Sequence, residues 1–100
     1  MEKTKSFYSR TTEVWNGSKF RRNEYSSYYE NKDIATAAFE REQKNVYKII
    51  NEEYDSAEII VKEEYLLDGT RACRIMGMNE KNTDIIVIRL KELKMICDYE

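Results

Sequence analysis

Asp84 and the acid-x-lysine run Glu92-Leu93-Lys94 come closest, in this sequence, to the carboxylates and lysine that hold a metal ion in a nuclease. Eight residues separate the two acids within what reads as one strand run, so they have no obvious way to fold onto one ion. Metal chemistry is therefore not expected. Cys73 and Cys97 do not form a Cys-x-x-Cys pair, and the chain has no histidine. That combination excludes the usual zinc sites and every Ser-His-Asp or Cys-His arrangement, and leaves buried structural cysteine as the expectation. Gly17, Gly69 and Gly77 stand singly at turn positions and none opens a helix, so no phosphate-cradling loop is present. A glycosidase-type carboxylate pair needs a cleft that a domain of this size has little room for. No catalytic residue and no cofactor are assigned, and a non-enzymatic protein is expected.

Two surfaces remain as candidates for binding. Glu52, Glu53, Asp55, Glu58, Glu63, Glu64 and Asp68 face only Lys62 within residues 51–68, a local charge of −6. Such runs are commonly a solvated helix end and a wet strand face. As a site, they would meet a basic groove on a protein target and substitute for phosphates there, with Tyr54 and Tyr65 as rigid contacts. The second surface sets Arg10, Lys19, Arg21 and Arg22 beside Tyr8, Trp15, Phe20, Tyr25, Tyr28 and Tyr29. Cations for phosphates and rings for stacking are what single-stranded nucleic-acid binders use, which makes a small nucleic-acid-binding regulator the alternative function. Against it, this region has few aliphatics, so many of these rings are needed as core.

Composition bounds both readings. One hundred residues with 41% hydrophobic and 36% charged side chains describe a single domain spanning 1–100. The net charge of −2 is too small to mark a general nucleic-acid binder. The halves differ: residues 1–50 carry ten basic and seven acidic side chains, whereas residues 51–100 carry seven and twelve. With no apolar run of about twenty residues and charges where a signal peptide needs an apolar stretch, a cytoplasmic location without membrane contact is expected.

The elements that must position these residues follow from the hydrophobic period. Residues 5–15 and 19–29 alternate polar and aromatic positions around Asn16-Gly17, which predicts a hairpin with a type I′ turn. From residue 31 the period becomes helical, with Ala35, Ala38, Phe39, Glu42, Val46, Ile49 and Ile50 on one stripe, Asn31 or Asp33 as cap and an end near residue 53 or 54. Residues 58–67 and 70–76 flank Asp68-Gly69, a second type I′ signal, and Gly77 with residues 79–82 forms the next turn. Residues 84–90 are the most β-branched and belong in the middle of the sheet. Residues 91–100 fit helix and strand equally. The expectation is an α+β domain of order ββαβββ, with an antiparallel sheet of about five strands packed on one long helix. One helix covers one face at most, so the other must be polar, curved or buried by a partner, a homodimer included.

A small chain without histidine or proline, rich in Tyr, Lys, Glu, Asn and Ile, resembles the accessory proteins of bacteriophages and mobile elements, anti-CRISPR inhibitors among them. The resemblance spans the whole chain in size, composition and element order, and no motif carries a functional residue across. It implies a non-enzymatic inhibitor of a defence nuclease, acting in the bacterial host cytoplasm by occupying a nucleic-acid or protein surface of its target.

Overall fold

The computed structural model describes the backbone of residues 2–16, 19–67 and 69–98, with side chains described outside 2–4, 20–25, 61–62 and 95–98. Five strands and one helix follow in the order β1 (Glu2–Asn16), β2 (Lys19–Tyr29), α1 (Lys32–Glu53), β3 (Ser56–Tyr65), β4 (Arg71–Met78) and β5 (Thr83–Asp98). All strand pairs are antiparallel, and the sheet order is β2-β1-β5-β4-β3. The β-branched run of residues 84–90 does occupy the central strand. The undecided tail continues that strand to Asp98, while Tyr99 and Glu100 lie outside the described residues.

Helix α1 begins where a cap is available. The Asn31 carboxamide oxygen accepts from the amides of Asp33 at 2.8 Å and Ile34 at 3.1 Å, satisfying two of the donors that a helix start leaves open. Ala35 and Ala38 let the helix approach the sheet closely. Phe39, Val46 and Ile50 then fill the interface against Val14, Cys73, Ile75, Ile86, Ile88 and Leu90. Ile49, expected on this stripe, is instead 50% exposed, because the buried arc is narrower than the apolar one.

Two turns differ from expectation. The Leu66 amide donates to the Thr70 carbonyl at 2.8 Å and the Gly69 amide to the Leu66 carbonyl at 2.9 Å, with Gly69 at φ 85°. Those bonds make a three-residue loop ending in a left-handed glycine, not the two-residue type I′ turn. In the first hairpin Asn16 is paired with Lys19, so residues 17–18 make the connection and lie outside the described residues.

Gly77 is not in a turn. It sits inside β4 opposite Asp84, beneath the end of α1. A Cβ there would stand 2.7 Å from Ile50 Cγ2 and 2.8 Å from Tyr54 Cγ, so glycine is what lets the Tyr54 ring lie on the strand. Gly77→Ala is expected to cost about 1–3 kcal/mol as an overpacked contact, read as a lowered urea midpoint. An unchanged midpoint would contradict this packing.

Candidate protein-binding surface

The acidic segment does not form one patch. Glu63 and Glu64 are successive residues of an edge strand and leave it on opposite faces. On the helix side, Glu63 Oε1 accepts from Arg71 at 2.9 Å, and the Arg71 guanidinium lies 5.2 Å from the Phe39 ring centre and 5.9 Å from that of Tyr65. On the other face Glu64 Oε1 accepts from Arg74 Nε at 2.6 Å. Tyr65 is exposed, and a hydrogen bond with Glu63 holds its phenol above the ordinary pKa. Tyr54 is a buttress and not a free contact: its hydroxyl donates to Asp84 Oδ2 at 2.7 Å. Asp68 lies outside the described residues.

Glu52, Glu53, Asp55 and Glu58 are a separate group. All four are exposed, where the end of α1 turns into β3, and the Asp55 amide is held by Asn79 Oδ1 at 2.9 Å. Glu58 is the register partner of Met76, Met76 of Ile85, and Ile85 of Trp15. These four positions form one row across the sheet face that α1 does not cover. Trp15, Ile85 and Met76 are each half-buried in it.

Further along the same face the cover is ionic. Arg89 Nε donates to Glu13 Oε1 at 2.9 Å, Trp15 Nε1 donates to the same oxygen at 3.2 Å, and Arg74 reaches Glu64. Arg89 stands opposite Ala72, and Arg74 opposite Val87. Arginine stems thus close over two small apolar residues that are only 0% and 1% exposed. The Glu13–Arg89 and Glu64–Arg74 pairs are invisible to a count along the segment, because each arginine comes from a neighbouring strand.

The basic hairpin residues disperse as well. Arg10 is 5% exposed, beneath α1, where it donates to Glu42 Oε2 at 2.7 Å, Thr12 Oγ1 at 3.1 Å and Ser27 Oγ at 3.2 Å. It is not placed to meet a phosphate. Burial alone would raise the nearby Tyr29 phenol, but hydrogen bonds with Arg10 and Ser27 and the Arg10 charge outweigh it and lower the pKa. Lys19 and Tyr28 are exposed, with the Tyr28 ring centre 6.3 Å from that of Phe7. The side chains of Arg21, Arg22 and Tyr25 lie outside the described residues. Glu42 was legible as a stripe residue, and a carboxylate on the buried stripe of a helix is itself the signal that a cation must come from the sheet.

Asp84 and Glu92 lie on one strand about 27 Å apart, at roughly 3.4 Å per residue, and are occupied by Tyr54 and Tyr8 hydroxyls respectively. Among the described residues no group of three or more His, Cys, Asp or Glu is arranged to hold a metal, and no helix is long and apolar enough to cross a membrane. No protein-family model, curated protein or solved structure matches the chain.

Two outcomes follow from the buried groups. Glu42→Leu should cost about 3–5 kcal/mol in urea unfolding, because it strands the Arg10 charge, and Arg10→Met with Glu42→Leu should recover most of that loss. A double variant no better than the single one would contradict the pairing. Burial pushes the Cys73 thiol up to about 11 from 9.0. The stability that its protonated form contributes is therefore whole below pH 9 and is lost as pH rises towards 11. In a Cys97→Ser background, maleimide should label Cys73 only on unfolding, and rapid labelling of the folded chain would show the site to be open.

Proposed function

We infer that this protein is a non-enzymatic binding module whose target is a protein with a basic surface. The carrying observation is the row Trp15–Ile85–Met76–Glu58, on the sheet face without a helix, at the same end as exposed Glu52, Glu53 and Asp55. A large aromatic ring, an aliphatic side chain and a flexible methionine in one row offer an apolar centre. Acids along one side offer a rim complementary to lysine and arginine. This differs from the acidic segment acting as a unit, since Glu63 and Glu64 spend their charge on Arg71 and Arg74.

The resemblance in size, composition and element order to anti-CRISPR inhibitors supports a target that handles nucleic acid, a bacterial defence nuclease in the host cytoplasm. The acids at the row's edge would then occupy the surface on which that nuclease holds phosphates, and inhibition follows from occupation without any reaction. The nucleic-acid-binding alternative is weakened by Arg10, whose guanidinium is committed to Glu42.

The test is capture of a partner from nuclease-digested bacterial lysate, followed by competition. The captured protein should bind nucleic acid less tightly when this chain is added. Glu52→Lys with Glu53→Lys and Glu58→Lys should abolish capture, while Glu63→Gln should leave it within about threefold, as expected for an acid already paired near the surface. Capture that requires nucleic acid, or that survives the triple reversal, overturns the reading.

A further inference from the structure

The helix side of the sheet is hollow where α1 begins. Two neighbouring register rows meet there: Tyr65↔Arg71↔Leu90 across β3, β4 and β5, and Glu92↔Tyr8 across β5 and β1. Leu90 and Glu92 are two apart on one strand and share that face. Lys32, the first residue of α1, joins these side chains in lining a cavity of about 290 Å³. That volume is close to the lower bound, about 300 Å³, of sites that hold a small organic molecule.

Three charged side chains line the cavity among the described residues, and only one of them is neutralised. The Arg71 guanidinium meets Glu63 Oε1 at 2.9 Å and lies 5.9 Å from the Tyr65 ring centre. Glu92 Oε1 accepts from the Tyr8 hydroxyl at 3.1 Å, a bond that orients the carboxylate and leaves its charge standing. Neither Glu92 nor Lys32 forms an ion pair with the other or with a further described residue. The cavity thus presents one cation and one anion, together with the buried Leu90 and the exposed Tyr65.

A ligand that is only an anion would be drawn to Lys32 and repelled by Glu92, and one that is only a cation the reverse. A zwitterion satisfies both. The end of a peptide carries one of the two charges, whereas a free amino acid carries both on one carbon and leaves its side chain for the apolar groups. We propose that this cavity binds a free α-amino acid with a large apolar or aromatic side chain. Lys32 takes its carboxylate, Glu92 its ammonium group, and Leu90 with the Tyr65 ring its side chain. The row Trp15–Ile85–Met76 lies on the other face of the sheet, so this site stands apart from the one proposed for the protein target.

Titration of the full chain with L-phenylalanine, followed by NMR chemical shifts, tests this against two compounds that keep the ring and one charge each, hydrocinnamate and phenethylamine. Phenylalanine should saturate the shifts of residues lining the cavity, and each analogue should bind roughly fivefold more weakly, as expected for a charge contact near the surface. Glu92→Gln should remove the advantage over hydrocinnamate, which lacks the ammonium group, and keep the advantage over phenethylamine. Lys32→Gln should do the opposite. Both side chains are exposed, so neither substitution removes a core contact. Absence of saturable binding, equal binding of the three compounds, or a preference that survives both substitutions overturns the proposal.

Discussion

One helix must serve a sheet twice its width. Twenty-two residues make α1 about 33 Å long but only about 10 Å across, whereas five strands spaced about 4.8 Å apart span roughly 20 Å. It can bury the central strands on one face and no more. The apolar residues obey this limit: Cys73, Ile75, Ile86, Ile88 and Leu90 lie under the helix, while the edge strand β3 keeps Ile59, Ile60 and Tyr65 exposed. Arg10 and Glu42 occupy the same interface, so the limited apolar contact is supplemented by a buried ion pair.

The uncovered face solves its problem differently. Arginine stems from β4 and β5 close over Val87 and Ala72, and their guanidinium groups are neutralised by glutamates on the outer neighbours, Glu13 and Glu64. This ionic cover is self-sufficient in the middle of the sheet. Beyond it comes the row Trp15–Ile85–Met76, each member half-buried. Exposed Glu58 closes that row at the sheet edge, and Asp55 precedes it in the chain after the end of α1.

Much of the fold was legible because its signals are local. Asn31 caps the helix, the stripe from Ala35 to Ile50 sets its buried side, and the β-branched run of residues 84–90 marks the centre of the sheet. What escaped the sequence depends on non-local contacts. Gly77 resembles a turn residue until Tyr54 is seen lying on it, and residues 91–98 follow no single period because their strand gains partners on one side only. The candidate sites were less legible for the same reason. Charge counted along residues 51–68 omits Arg71 and Arg74, which reach Glu63 and Glu64 from β4, and a basic residue in a strand gives no sign that a helix will cover it, as α1 covers Arg10.

The same limit underlies the proposed function: a sheet covered by a helix on one face leaves the other open, and the row on the open face is apolar with Glu58 at its edge. Photo-crosslinking tests that claim most directly, with a benzophenone amino acid placed at Met76 in one chain and at exposed Ala37 on the outer side of α1 in another. In nuclease-digested bacterial lysate, the Met76 position should give a single discrete protein adduct and the Ala37 position none. Adducts formed through Ala37 alone, or none through Met76, would contradict the open face as the binding surface.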